Sequence, residues 1–98
     1  MQALLDAISS PRRREILRLV WDNELSAGEI ASRFDVTWPA VSQSLGVLRR
    51  AGLVTERRES TRRFYRADPA RLGPLRLALE QMWTEDLSNL QRAVKERR

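Results

Sequence analysis

Apolar residues recur every three or four positions along most of this chain, which is the spacing of helices that bury one face. The clearest case is the set Val41, Leu45 and Leu48, at positions i, i+4 and i+7. We expect these three side chains to form the buried stripe of one helix. Ala51 and Gly52 follow the stripe. Because glycine favours the left-handed backbone of a helix C-terminus, the helix is predicted to end there.

Helix-start signals divide the segment before this stripe into separate helices. Ser10 precedes a proline, which together provide an N-cap and a proline at the first helical position. Ser26 and Glu29 have the spacing of a capping box, in which each side chain bonds the backbone of the other residue. Thr37 is predicted to cap the helix that carries the buried stripe. The last two helices are joined by a short turn, so residues 26–50 are predicted to form a helix-turn-helix.

The hydrophobic period changes after residue 52. Residues 53–67 contain two strand-like runs on either side of the segment Glu59-Ser60-Thr61. This pattern predicts a β-hairpin with an arginine-rich tip. A basic hairpin that follows a helix-turn-helix is a wing, so the predicted fold is a winged helix-turn-helix.

The remaining segments predict helices at both ends of the domain. Asp68 and Pro69 predict a helix start by the same cap-and-proline device, and Gly73 and Pro74 predict that this helix is interrupted. Residues 74–96 predict a long final helix. Residues 1–9 predict a short first helix. With 98 residues, the chain has room for a single domain, 1–98. The fold class is therefore mainly α with a small β-hairpin wing and about five helices, the last of them long and used for dimerisation.

The composition excludes several classes of chemistry. The chain has no cysteine, which excludes disulfides, thiol switches and thiolate metal sites. It also has no histidine, so the commonest metal ligand and the commonest general base are missing. We therefore expect no enzyme, no cofactor and no metal site. No apolar run approaches the roughly 20 residues that span a bilayer, so no membrane partner is expected and the cytoplasm is the expected location.

The positive charge is concentrated in one part of the chain. The net charge is +5, and Arg accounts for all but one of the 18 basic residues. Residues 37–66 contain seven arginines against only Glu56 and Glu59, so this segment holds the whole excess. Arginine suits bidentate contacts with phosphate and guanine. Such a concentrated charge favours a polyanion as the partner over a merely solvated surface.

Five segments, read in order, carry a family resemblance. They are Ser10–Leu17, Glu24–Ala31, Pro39–Leu45, Val47–Val54 and Arg62–Arg66. Together they resemble the ArsR/SmtB family of winged-helix repressors, over residues 3 to about 72. The resemblance implies a cytoplasmic homodimer that binds operator DNA, usually represses, and releases the DNA when a signal arrives. Control of its own promoter is an expectation at the level of the family.

The chain departs from the metal-sensing pattern of that family. Metal-sensing members carry cysteines in the stretch that matches Ser26, Ala27 and Gly28, or Asp, His and Glu ligands on the last helix. Neither set is present here, so the resemblance is to the subset without metal ligands. Many members have a His and a Lys where this chain has Ser44 and Gly46, which implies different groove contacts. No motif specifies an inducer, whether a small molecule or a protein.

The polar face of the fourth predicted helix supplies candidate DNA contacts. The candidates on and beside this face are Thr37, Trp38, Pro39, Ser42, Gln43, Ser44, Gly46 and Arg50. Gln43 has the amide that pairs in bidentate fashion with adenine. Trp38 either stacks on sugar or base edges or packs on a neighbouring turn. The alternative for the whole set is an ordinary solvated helix face.

Two roles are possible for the arginines near the hairpin tip, and two for those near the start of the chain. Those of the hairpin are Arg57, Arg58, Arg62 and Arg63, which either contact DNA phosphates and the minor groove or protect exposed strand edges. The run Arg12-Arg13-Arg14 lies at a helix N-terminus, where positive charge is unfavourable. We expect it to pair with Asp6 and Glu15, with a DNA contact as the alternative.

The two terminal helices, 1–9 and 74–96, predict a dimer interface. The apolar stripe of the last helix slips by one position at Met82-Trp83, as in an interrupted coiled-coil seam. The predicted interface residues are Leu4, Leu5, Ile8, Leu79, Met82, Trp83, Leu87 and Leu90. Packing of the last helix on its own domain is the alternative. A two-fold dimer would place two recognition helices about 34 Å apart, which predicts a near-palindromic operator.

The function that these patterns predict is a sequence-specific, DNA-binding transcriptional repressor. Its expected partners are double-stranded operator DNA and a second copy of the chain. The alternative is a basic winged-helix module that binds RNA or an acidic protein partner.

Overall fold

A computed structural model describes the backbone of residues 2–96 and the side chains of residues 2–85. The helices are α1 (Gln2–Ile8), α2 (Pro11–Leu19), α3 (Ala27–Ala31), α4 (Trp38–Arg50), a 3₁₀ helix (Pro69–Leu72) and α5 (Leu75–Glu96). The strands are β1 (Leu25–Ser26), β2 (Val54–Glu59) and β3 (Arg62–Ala67). The predicted fold class, a winged helix-turn-helix with a small hairpin, is therefore observed.

The predicted caps position the helix-turn-helix. Ser26 Oγ accepts a hydrogen bond from the backbone N–H of Glu29 at 3.1 Å, and Glu29 Oε1 accepts from the N–H of Ser26 at 3.0 Å. This reciprocal pair is the capping box that opens α3. Thr37 Oγ1 accepts from the N–H of Ala40 at 3.4 Å at the start of α4. Both caps follow from local sequence, which is why the pattern predicted them.

The core lies where α2, α4 and the base of the hairpin meet. The predicted stripe of α4 is buried, with Val41 and Leu48 at 0% and Leu45 at 2% exposure. The other large side chains that are almost fully buried are Ile16, Leu17, Val20, Ile30, Leu53, Leu72 and Leu79. The backbone N–H of Ala67 donates to Val20 O at 2.9 Å, which ties the end of the hairpin to the end of α2.

The sheet contains one strand that the sequence did not predict. Strands β2 and β3 pair in antiparallel register from Val54 opposite Ala67 to Glu59 opposite Arg62, as the hairpin requires. Strand β1 adds to the other edge of β3, so the order is β1-β3-β2. Because β1 has only two residues, it is too short to show an alternating pattern.

The segment after the hairpin differs from its prediction. Asp68 has φ −116° and ψ 82°, and its side chain makes no cap hydrogen bond. Pro69–Leu72 forms a single 3₁₀ turn rather than the start of an α-helix. Gly73 follows this turn with φ 55°, in the left-handed region that glycine favours. This backbone conformation ends the helix after four residues, so no second turn forms.

The first described turns of α5 pack on their own domain. Leu79 is 2% exposed and belongs to the core. Trp83 meets Trp21 edge to face, with ring centroids 4.9 Å apart and an interplanar angle of 83°. Leu79, predicted at the dimer interface, therefore has almost no surface left for a partner. The predicted interface residues Leu87 and Leu90 lie outside the described side chains.

The arginine run at the start of α2 contacts carbonyl groups rather than the predicted carboxylates. Arg13 donates from Nε to Ala7 O at 2.6 Å and from Nη2 to Asp6 O at 2.7 Å. Arg14 Nη1 donates to Ile8 O at 2.8 Å. These carbonyls have no partner within α1, which ends at Ile8, and they form the negative end of its dipole. The pairing with Asp6 and Glu15 carboxylates was wrong because it ignored this helix end.

We expect Arg13→Met to lower the free energy of unfolding by about 1–3 kcal/mol, since two hydrogen bonds to the end of α1 are lost. Urea denaturation at one fixed protein concentration measures this difference. Arg12→Met, at the exposed neighbouring position, is the control, and we expect a change of about 0.5 kcal/mol or less. Equal effects of the two variants would show that Arg13 does not act as a cap.

Candidate nucleic-acid interface

Most of the predicted contact face of α4 points to solvent. Burial of the stripe on the opposite side fixes the rotation of the helix about its axis. As a result, Thr37, Pro39, Ser42, Gln43 and Arg50 are all exposed. Trp38 is 50% exposed at the first position of the helix, which leaves one side of its indole open.

Ser44 does not belong to this face. It is 6% exposed and lies on the inward side of α4. The reason is helical spacing, because Ser44 comes three residues after Val41 and four before Leu48. The prediction that Ser44 contacts DNA is therefore corrected, and its position is part of the packing of α4 on the core.

Gly46 makes room for a side chain of its own helix. A Cβ atom at this position would lie 3.3 Å from Nη1 of Arg50. The Arg50 guanidinium thus folds back over Gly46, one turn earlier on the same face. The space beside Gly46 is thus occupied by Arg50, which keeps that positive charge on the outward face of α4.

Arg57 is fully engaged by carboxylates of its own chain. Its Nη2 donates to Glu24 Oε1 at 2.7 Å and its Nε donates to Glu24 Oε2 at 3.1 Å. Its Nη1 donates to Glu59 Oε2 at 2.9 Å, and its Cζ lies 4.6 Å from the centre of the Phe64 ring. Hydrogen bonds to the two carboxylates raise the pKa of Arg57. Arg57 therefore braces the wing against the segment before β1, and its predicted DNA contact stays a prediction.

A second acid lies inside the wing and engages Arg58. Glu56 accepts from Tyr65 Oη at 3.1 Å and from Arg58 Nε at 3.4 Å, and Arg49 Nε lies 4.0 Å away. Burial raises the pKa of Glu56, but the hydrogen bonds from Tyr65 and Arg58 and the charges of Arg49 and Arg63 outweigh it and hold the pKa below its ordinary value. Arg58 is thus partly neutralised within the wing.

Of the four wing arginines predicted to contact DNA, Arg62 and Arg63 have the weakest ion pairs with carboxylates. Arg62 Nη2 lies 3.9 Å from Glu29 Oε1, a long ion pair, and its Cζ lies 5.0 Å from the Phe64 ring centre. Arg63 is exposed, and within residues 2–85 it forms no ion pair with a carboxylate. The charge that the wing offers to an external anion is therefore concentrated on its second strand.

An open cleft brings the helix and the wing together. Its volume is about 670 Å³, and the start of α3 is part of its lining. Trp38 and Ser42 of α4 line one wall, and Thr61, Arg62 and Arg63 of the wing line the other. We call this feature the helix–wing cleft. It places groove-reading candidates and phosphate-binding candidates on one concave surface.

Exposed apolar side chains lie on the two terminal helices. Of the predicted dimer residues, Leu5 is 42% and Met82 41% exposed, whereas Leu4 and Ile8 are half-buried. Leu77 on α5 is 73% exposed, and the sequence analysis did not single it out. No pattern could have indicated Leu77, because it stands alone on the polar side of its helix.

Two further properties hold for the described part of the chain. Within residues 2–85, no group of three or more acidic, histidine or cysteine side chains is arranged to hold a metal ion. None of the helices described is long and apolar enough to cross a membrane.

Comparison with known proteins identifies the family. The sequence profile described as "Bacterial regulatory protein, arsR family" matches residues 10–56. The HTH-type transcriptional regulator Rv2034 of Mycobacterium tuberculosis is 42% identical over 82 residues, which cover 84% of this chain and 77% of that protein. The chain belongs to the arsR family of bacterial regulatory proteins.

Two further relatives agree with this assignment. The biofilm growth-associated repressor of Agrobacterium fabrum is 36% identical over 89% of this chain and 74% of that protein. The solved structure of HlyU from Vibrio cholerae superimposes with a TM-score of 0.75 at 37% identity, and the match covers 85% of this chain and 90% of that one. Membership of the arsR family confirms the predicted resemblance, and it confirms a regulatory protein rather than an enzyme.

The brace in this arsR-family wing can be tested by titration. A hydrogen bond from Arg57 lowers the pKa of Glu24 below its ordinary value of 4.5. We expect Arg57→Gln to raise that pKa towards 4.5, as measured from the carboxyl carbon shift in NMR spectra. Because the folded-state pKa is lowered, the stabilisation from this pair is present above the unfolded-state pKa. It is lost as the pH falls through the folded-state value.

The control for this titration is Arg63→Gln, which removes a wing arginine that does not contact Glu24. We expect it to leave the pKa of Glu24 unchanged. An unchanged Glu24 pKa in Arg57→Gln would contradict the brace.

Proposed function

We propose that this protein is a transcriptional repressor that binds operator DNA as a homodimer. In this proposal α4 enters the major groove, and the wing lies along the flanking backbone. The observation that carries it is the helix–wing cleft, where Trp38 and Ser42 of α4 face Arg62 and Arg63 of the wing. A concave surface that combines polar helix positions with unneutralised arginines suits a duplex, which offers base edges and phosphates side by side.

The exposed face of α4 supplies the base-reading part of the proposal. Gln43 is exposed at the middle of the outward face, next to Ser42. Its amide carries a donor and an acceptor, which match N7 and N6 of adenine in the major groove. We assign Gln43 as the principal base-reading residue, with Ser42 beside it. Arg50, folded over Gly46, supplies a phosphate or guanine contact at the end of the same face.

The dimer in this proposal uses the apolar surface of α1 and α5. Leu5 and Met82 expose large apolar side chains on these helices. A chain of 98 residues has a modest core of its own, so burial of this surface against a second copy is favourable. A two-fold dimer places its recognition helices about one DNA turn apart, so the operator is expected to be near-palindromic.

The names of the relatives favour repression over activation. The relatives in Agrobacterium fabrum and Bacillus subtilis are named as repressors, whereas HlyU of Vibrio cholerae is named as a transcriptional activator. In this proposal the protein also represses the promoter of its own gene. A reporter fused to the promoter of this protein's own gene tests both points, since repression predicts a higher signal when the gene is deleted.

Fluorescence anisotropy on DNA from upstream of its gene, against a shuffled duplex of equal length, tests the binding step. We expect at least a hundredfold preference for the upstream DNA, with two chains bound per site. Equal and steeply salt-dependent binding to both duplexes would leave only a basic protein without this operator. Tighter binding to single-stranded RNA than to either duplex would favour the RNA-binding alternative.

We expect Gln43→Ala to weaken binding to the operator by about 1–3 kcal/mol and to relax the preference at one base pair. The reason is the loss of the bidentate amide contact with adenine. Anisotropy titrations on the operator and on single-base variants measure both effects. An equal loss on operator and shuffled DNA would contradict a base-reading role for Gln43.

We expect Arg63→Gln to weaken binding to both duplexes alike and to reduce the salt slope of log K by about 0.9, the amount for one phosphate contact. A salt series of the same titrations measures the slope. Arg57→Gln is the matched control, because carboxylates already hold the guanidinium of Arg57. We expect the control to leave the slope nearly unchanged, and a drop of the same size in both variants would contradict the division of the wing arginines.

A further inference from the structure

The ion pair between Arg62 and Glu29 is weaker in geometry than its neighbour in the wing. Arg62 Nη2 lies 3.9 Å from Glu29 Oε1, and the two side chains are 63% and 52% exposed. By contrast, Arg57 Nη2 lies 2.7 Å from Glu24. A long and exposed pair contributes little and separates readily when a better partner is available. Arg62 is therefore held loosely, at the wall of the helix–wing cleft.

Glu29, unlike Arg62, is fixed in position by its role in the backbone of α3. Its Oε1 accepts the N–H of Ser26 at 3.0 Å, while its own N–H donates to Ser26 Oγ. The hydrogen bond from the Ser26 backbone is the main cause that lowers the pKa of Glu29, so the carboxylate is charged at neutral pH. The capping box thus holds a negative charge in the first turn of α3, 3.9 Å from an arginine that lines the cleft.

We propose that Glu29 is an internal competitor for the DNA phosphate that Arg62 binds. This inference rests on the proposed function, because it assumes that a duplex occupies the helix–wing cleft. In the free protein Arg62 contacts Glu29, and in the complex its guanidinium exchanges the carboxylate for a backbone phosphate. Since phosphates are the same in every sequence, the competition weakens binding to all DNA equally.

Phe64 limits the exchange of carboxylate for phosphate to the end of the Arg62 side chain. The Cζ atom of Arg62 lies 5.0 Å from the centre of the Phe64 ring, so the aromatic face supports the guanidinium beside the cleft. Phe64 itself is held in β3, opposite Arg57 in the register of the hairpin. The exchange of partners therefore involves the end of one side chain, and the wing keeps its shape.

The test is a double-mutant cycle on a generic 30-base-pair duplex, measured by anisotropy at about 100 mM salt. Glu29→Gln preserves the capping box, because glutamine also serves at this position, and it removes the charge. We expect it to tighten binding about 2- to 5-fold, the range of an exposed ion pair. In the Arg62→Gln background, we expect the same change at Glu29 to give no gain.

Glu24→Gln is the matched control for this cycle. It removes another acid of the wing region, one that contacts Arg57 and not Arg62. We expect its effect on DNA binding to be the same with and without Arg62→Gln. This control separates competition for one arginine from a general reduction of negative charge near the DNA.

Two results would overturn the inference while the proposed function stands. One is no gain from Glu29→Gln, and the other is an equal gain with and without Arg62, which would mean general repulsion. If the wild-type chain binds no duplex, the proposed function fails and the inference falls with it.

A second measurement uses the wild-type chain and needs no substitution. We expect the Nε–H signal of Arg62 in NMR spectra to shift on addition of the duplex, while that of Arg57 stays in place. An unmoved Arg62 signal in a saturated complex would also overturn the inference.

Discussion

Burial of the inward stripe of α4 is the constraint on which the candidate interface depends. Val41, Leu45 and Leu48 have at most 2% of their surface exposed, and full burial of such a side chain is worth about 1.5–3 kcal/mol. Rotation of α4 about its axis would expose this stripe, so the outward face is fixed. The same constraint turns Gln43 towards solvent and takes Ser44 out of the contact set.

The acids of the chain decide which wing arginines can serve an external anion. Glu24 and Glu59 hold Arg57 in a geometry that orients the wing, whereas Arg63 forms no ion pair within the described side chains. Formal charge therefore overestimates the positive charge that is available to an external anion, because some arginines are paired inside the fold. Arg62 lies between these two cases, since its only carboxylate partner within residues 2–85 is the distant Glu29. Arg57 thus orients the wing, and the DNA contacts that we propose fall to other arginines of the same hairpin.

The terminal helices show why apolar periodicity does not by itself assign an interface. Leu79 and Met82 are three residues apart, yet Leu79 is 2% and Met82 41% exposed. Part of the surface of Trp83 is covered by Trp21, which follows the end of α2. A stripe that is wider than one seam serves the core of its own domain first, and only its margin is left for a second copy. The exposed fractions, not the spacing, separate these two uses.

Features that depend on neighbours along the chain could be predicted from the amino-acid pattern. The capping box at Ser26, the cap at Thr37 and the period of the α4 stripe were all predicted, because each involves residues within one or two turns. Only the tertiary structure decided the contacts between distant segments. Glu24 meets Arg57 across 33 positions because the segment around β1 is brought beside the wing, and a two-residue strand leaves no periodic signal. Which wing arginine is held by carboxylates follows from that pairing, and no local pattern encodes it.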